Sequence, residues 1–313
     1  VSSQSSTFGM KPKIKNCNPF EIQKIRQNLD PMAREWDRIY GSGAIDLALY
    51  DLVGKALKVP MYQLFGGKIR DEIPVYASAL MTFNTIDELI HEAKGYVERG
   101  FMAMKMRVGV GVQKDYQRIL AIRDNIPSTV ELMIDANCNY DRNSAKRLST
   151  MIENLNVFHF EEPLPKYDID GYRWLSQKTT VPLAAGECTP IQHIHKLITQ
   201  GNISVVQPDV LINGPTECSK IAHLAEAYNL ICMPHCFVGS IGFSALLHFA
   251  ASMPSCSSFH EFDQTENIFR TELTDLDISL THGKCKVPSA PGLGMQINRD
   301  LMKKYQVHHL IIS

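Results

Sequence analysis

No apolar run in this chain approaches the ~18 residues that a membrane-crossing helix needs, so no transmembrane segment is expected. Neither sign of charge is in excess: 32 Lys and Arg face 33 Asp and Glu, with no basic stripe or polybasic run. Nucleic acid and a membrane surface are therefore not expected partners. No CxxC pair occurs among the 8 cysteines, and the closest two, Cys232 and Cys236, have no matching second pair. A zinc site or disulfide framework is not expected, and the thiols read as free groups in a reducing compartment. No GxGxxG or GxxxxGK[ST] opens a helix, which removes the signatures of dinucleotide and P-loop nucleotide binding. The opening VSSQSSTFGM lacks a charged stretch followed by an apolar one, so no secretory leader is expected there and a cytoplasmic location is.

What is present is a soluble composition, 44 % apolar and 21 % charged, enough apolar residues for a sizeable core. Residues 1 to about 30 are polar with little periodicity. From about 31 to 64 the pattern turns helical, with Ile45, Leu47, Ala48, Leu52, Val53 and Leu57 at spacings of three and four. From Val75 the chain becomes regular. Strand-like cores VYASA, AMKMRV, LMIDAN, FHFEE, PLAAGE, VVQPDV, ICMPHC and FHEFD recur, with helical patterns over 86–98, 114–125, 142–154, 169–177, 193–199, 218–228 and 243–251 between most of them. Eight strands alternating with helices predict an α/β fold with a parallel sheet, and eight is the number that closes a (β/α)8 TIM barrel. A doubly wound open sheet is the alternative. Residues 1–73 are expected to form a small helical capping domain, 74–285 the barrel, and 286–313, with Pro288, Pro291, Gly292 and Gly294, a segment returning to the cap.

Several of these strands are apolar until a final acid or base, the way a parallel barrel presents an active site at the C-terminal ends of its strands. Alternation puts Phe158 and Phe160 toward the helices and Glu161 inward with His159. By the same rule Asp135 pairs in face with Asn137, Lys105 with Arg107, and Gln207 with Asp209. Asp135, Glu161 and Glu187 then end three consecutive strands. Three converging carboxylates would repel and shift strongly upward in pKa, a conflict that a divalent cation removes; an all-oxygen donor set favours Mg²⁺ first and Mn²⁺ second. Asp209 and His235, on the sixth and seventh strands, read as a dyad in which the acid orients the imidazole. Lys105 and Arg107 face them across the barrel. This arrangement suits proton abstraction beside a carboxylate with stabilisation of the enolate.

Taken in order, KMR (105–107), IDAN (134–137), EEP (161–163), AGE (185–187), QPD (207–209), PH (234–235), HEF (260–262) and PGLG (291–294) resemble the enolase superfamily. Within it the resemblance is to the mandelate racemase and muconate lactonizing enzyme family, mandelate racemase subgroup, with EFDQTENIFR similar to sugar-acid dehydratases and cycloisomerases. A Lys or His base working with Mg²⁺ is the pattern of that superfamily. The resemblance implies a modified barrel of (β/α)7β type, Asp135, Glu161 and Glu187 as Mg²⁺ ligands, and His235 with Asp209 as acid and base. It also implies Lys105 beside the substrate carboxylate, Glu261 as a hydrogen-bond donor to it, Asn137 as a substrate contact, and a homo-oligomer from dimer to octamer. Two departures stand out: no strand pattern of the family's N-terminal antiparallel sheet is found, and Arg107 stands where racemases of the family carry a lysine. The expected activity is dehydration of a sugar acid to a 2-keto-3-deoxy acid. A racemase, epimerase or cycloisomerase sharing the enolate is the first alternative, and a catalytically silent binding homologue the second.

Overall fold

The computed structural model describes residues 14–35 and 42–306. Eight parallel strands form the centre: β1 (Glu72–Ala79), β2 (Ala103–Arg107), β3 (Glu131–Asp135), β4 (Val157–Glu161), β5 (Leu183–Ala185), β6 (Val205–Val206), β7 (Ile231–Cys232) and β8 (His260–Asp263). They pair in chain order from β1 to β7, and β8 pairs with the free edge of β1. This is the barrel-type order expected from the sequence. Around β7 and β8, Cys232 N–H donates to the Ser255 carbonyl at 3.0 Å and Cys236 N–H to the Glu261 carboxylate at 2.7 Å. An antiparallel hairpin, β9 (Leu280–Thr281) and β10 (Lys284–Lys286), adds to the N-terminal half of β1. No strand pattern marks this stretch in the sequence, because two- and three-residue strands carry too little alternation to register.

Helices follow the strands where side chains can cap them. Thr85 and Glu88 form a reciprocal capping box at Ile86–Glu98, Asp141 caps Arg142–Ile152, and Asp168 caps Ile169–Ser176. One cap is supplied across the chain: the Asp46 carboxylate accepts from Thr216 N–H at 2.8 Å and Thr216 Oγ1 at 2.9 Å, opening helix Pro215–Ala227. Asp46 belongs to helix Ser42–Leu57, so this bond docks the N-terminal helices on the barrel. The preceding helix, Ile22–Glu35, begins earlier than the polar sequence suggested, because Ile25 and Leu29 suffice as a buried stripe against Ile45 and Leu49. The PGLG segment lies against these helices. Gly292 exchanges bonds with Val59 and Met61 at 2.9 and 2.8 Å, and lies so close to Gly54 that a Cβ there would meet its Cα at 2.9 Å. The outer parts of the expected cap and tail, 1–13 and 307–313, lie outside the described residues.

Inside the strands, Tyr76, Ala103, Met133, Ala184, Val205 and Met233 form an apolar layer. One step further along β1, β2 and β3 come Ser78, Lys105 and Asp135, so a charged layer sits directly on an apolar one. In β4 the alternation is broken. Leu132 pairs with Val157 but Ile134 with Phe160, so Phe158 and His159 together oppose Met133. The expectation that Phe158 faces the helices is thereby corrected: the bulge turns it onto the inner layer. Glu161, beyond the bulge, pairs with Asp135 and is fully buried.

Candidate active site

Lys105 organises the charged layer. Its ammonium lies 2.9 Å from Glu161, 3.0 Å from Glu261 and 3.3 Å from Asp135, and its side chain is 1 % exposed. An ammonium this deep would cost several kcal/mol unpaired, so the carboxylates are the condition of its burial. Tyr76 carries its ring 5.6 Å below the ammonium. Arg107 pairs with Asp135 and lies over the ring of Phe237, 5.4 Å to the centroid, on the segment following His235. The second strand thus does reach across to the seventh.

Asp209 and His235 meet because β6 and β7 keep one register. Val205 pairs with Ile231, Val206 with Cys232, and after the interruption at Pro208 the same offset sets Asp209 opposite His235 in an isolated bridge. Proline has no N–H to give the ladder, which is why these strands are shorter than their apolar runs. The Pro208 carbonyl still accepts from His235 N–H at 3.0 Å. The Asp209 Oδ2 accepts from His235 Nδ1–H at 2.6 Å, while Oδ1 takes the N–H groups of Leu211 and Ile212 at 2.7 and 2.8 Å. With Nδ1 committed, Nε2 is the working nitrogen; it lies 3.7 Å from Glu187 and 3.9 Å from Glu261. Burial opposes charge on the ring, but Glu261, the Asp209 bond and Glu187 outweigh it and raise the His235 pKa to about 9.

Asp135 and Glu161 share the same pressure unequally. Burial, then the neighbouring Glu161 charge, raises Asp135 to about 6, with Lys105 and Arg107 opposing. Burial pushes Glu161 up too, but Lys105, then His159 and Arg107, hold it well below the usual range. Glu261 accepts from Ser78 Oγ at 2.7 Å and Cys236 N–H at 2.7 Å; against burial, Lys105 and His235 bring it down to about 2. In this arrangement Glu261 is an acceptor, so acting as a donor to substrate requires it to take up a proton. Asn137, in the left-handed region at φ 46°, donates its N–H to Asp135 Oδ1 at 2.8 Å and stands exposed at the mouth.

Of the three acids expected at a metal, the structure brings Asp135 and Glu161 together and sets Glu187 apart, beside His235 and Lys166. Among the described residues no three His, Cys, Asp or Glu side chains stand close enough to hold a metal ion. The physical reason is mutual repulsion, relieved here by Lys105 and Arg107. The donor set nonetheless fits a hard cation. Glu161 Oε1 is buried with no hydrogen-bond partner. Carboxylates outnumber cations here: Asp135, Glu161, Glu162, Glu187, Asp209 and Glu261 stand against Lys105, Arg107, Lys166 and the His235 ring, an acidic excess that a cation would reduce. Sequence reasoning missed Ser78, Tyr76, Lys166 and Phe237. The first two were within reach, since alternation in VYASA puts them on one face; the others depend on loop paths that no periodicity encodes.

The chain is similar to several known proteins. The family described as enolase C-terminal domain-like matches residues 88–301. The D-galactarolactone cycloisomerase of Agrobacterium fabrum is 30 % identical over 275 residues, covering 84 % of this chain and 73 % of that protein. The D-gluconate dehydratase of Thermoproteus tenax is 28 % identical over 287 residues, covering 88 % of this chain and 58 % of its own length. Among solved structures, the 3,6-anhydro-D-galactonate cycloisomerase from Zobellia galactanivorans superposes with a TM-score of 0.90 at 34 % identity, over 96 % of this chain and 86 % of that one. A racemase from Streptomyces coelicolor A3(2) with bound magnesium gives 0.84 at 25 %, over 94 % and 81 %.

Proposed function

Because the chain belongs to the enolase superfamily, we propose that it removes the proton α to the carboxylate of a sugar acid and expels the β-hydroxyl, yielding a 2-keto-3-deoxy acid. The observation that carries this reading is the His235–Asp209 pair, with Nε2 presented to a cluster of carboxylates and cations. A Mg²⁺ held by Asp135, Glu161 and Glu187 would supply Lewis-acid charge against the developing enolate and offset the Glu187 field that keeps His235 protonated. Lys105 and Arg107 hold the substrate carboxylate and the negative charge that grows on it. His235 Nε2 takes the α-proton, and the released electron pair forms the carbon–carbon double bond of the enolate. As the β carbon–oxygen bond breaks, His235 returns its proton to the departing hydroxyl, which leaves as water. The enol then tautomerises to the ketone.

Arg107 makes this chemistry one-sided. Against burial, the neighbouring Asp135 raises its pKa further, so the guanidinium stays charged and is no base. In deuterated water the enzyme should exchange the α-proton of only one C2 epimer. Exchange at comparable rates with both would favour a racemase. Cycloisomerisation is the second reading, favoured by the similarity to two cycloisomerases; it uses the same enolate with a ring oxygen as leaving group. A panel of open-chain sugar acids, lactones and anhydro-sugar acids, assayed for 2-keto-acid formation, separates the two by which class turns over.

A further inference from the structure

Near Glu187 Oε1, where His235 is nearest Oε2, lies a group of charged side chains that the proposed chemistry does not use. Lys166 reaches from the segment after β4 to the segment after β5. Its Nζ donates to the Glu187 backbone carbonyl at 3.0 Å and stands 3.4 Å from Glu162 Oε1 and 3.8 Å from Glu187 Oε1. The same carbonyl accepts from Thr189 Oγ1 at 2.9 Å. The root of Lys166 is itself fixed: its own carbonyl accepts from His193 Nε2–H at 2.8 Å, and the adjoining Tyr167 ring meets the His193 ring at 4.7 Å. Glu162 is fully buried, with Oε1 lacking a hydrogen bond and Oε2 accepting from the Cys138 thiol at 3.2 Å. The segment they support has little ladder to hold it. β5 ends at Ala185, and Gly186 and Cys188 on either side of Glu187 both lie at positive φ, 127° and 52°.

The geometry points to Lys166 as a positioning residue for Glu187: its ammonium, held in place by the buried Glu162, clamps the Glu187 carbonyl and so sets the direction in which that carboxylate leaves the chain. The inference rests on the reading of Glu187 as a metal ligand. Outer partners of ligating groups typically govern affinity by 10- to 100-fold.

The test is Mg²⁺ affinity, measured calorimetrically on chelator-stripped full chain. Glu187→Gln should weaken binding most, Lys166→Met should raise Kd by about 10- to 100-fold, and Lys166→Arg should restore most of it, since a guanidinium can reach the same carbonyl. Should Lys166→Met fail to fold, Thr189→Val removes the other donor to that carbonyl and should weaken binding in the same sense. If Glu187→Gln leaves Kd unchanged, the metal-ligand reading fails and this inference with it. If Glu187→Gln weakens binding while Lys166→Met and Thr189→Val leave it unchanged, or Lys166→Met tightens it because a repelling cation has gone, the positioning role alone is overturned.

Discussion

Replacing Asp209 by Asn removes one charge from the dyad while keeping its size, and the structure fixes what should follow. The His235 pKa of about 9 is some 2.5 pH units above the ordinary imidazole value, about 3 kcal/mol in favour of the protonated ring after burial has taken its share. Glu261 contributes most, the Asp209 bond next, then Glu187. Losing a carboxylate at 2.6 Å should lower the His235 pKa by about 1 to 3 pH units, leaving Glu187 and Glu261 to support the remainder. Turnover should fall by a factor on the order of 10² to 10⁴, because an amide that turns its NH₂ toward Nδ1 forces the proton onto Nε2 and removes the base. The assay is an NMR titration of the ring in chelator-treated protein, with His235→Asn to assign the signal, alongside α-proton exchange in deuterated water. A ring that still titrates near 9 in Asp209→Asn, or wild-type turnover in His235→Asn, would refute the dyad.

Further outcomes follow from the same cluster and from the core. Chelation should abolish activity and Mg²⁺ restore it; because a cation binds the native carboxylates and not the unfolded chain, Mg²⁺ should also raise the unfolding temperature, and full turnover in excess EDTA with no metal by elemental analysis would contradict this. Glu161→Gln should lose activity, whereas Glu162→Gln, whose contacts are Cys138 and Lys166, should keep more of it; equal losses would remove the distinction between inner and outer acid. His248 and His260 should each withdraw stability as pH falls from 6.5 to 4, in the opposite sense to the raised carboxyls of Asp135 and Glu162. Burial pushes His248 and His260 down to about 4, so between their ordinary 6.5 and that value the unfolded chain binds protons that the folded one refuses. The contribution is complete above pH 6.5 and is lost as pH falls through the window, at most about 3 kcal/mol for each ring. An NMR titration in which either ring protonates near 6.5 in the folded protein would contradict this.

Much of the site was legible because its residues sit at strand ends, where a single polar letter interrupts an apolar word. Asp135, Glu161, Asp209 and His235 could be placed from that alone, and Asp209 meets His235 as the pattern implied. Phe158 could not, since a bulge shifts alternation by one residue and leaves no mark in composition. Glu161 still turns inward because it follows Phe160 beyond the bulge, so alternation from Phe160 alone gives its face. The direction of Glu187 was not legible, for another reason. It follows β5 through Gly186 at φ 127°, so its direction depends on the loop and on Lys166 rather than on strand parity. The deep seat of Lys105 among three acids was likewise invisible, because it balances charge between β2, β3, β4 and β8, and spacing along one strand says nothing about such a balance.

The ladder between β1 and β8 has a consequence for how the chain comes into being. Ser78 and Glu261, bonded at 2.7 Å, are 183 residues apart, and Tyr76 is the register partner of Glu261. A ribosome delivering the chain from its N-terminus at about 5 to 20 residues per second releases β1 many seconds before the strand it must pair with. Until then Lys105 lacks one of its three counter-charges and the Cys236 N–H lacks its acceptor. The ionic centre is thus completed only once β8 has been made. A nascent or prematurely terminated chain carries the dyad residues and two strand-end acids but not the electrostatic balance that buries Lys105, so competence in this protein arrives late and all at once.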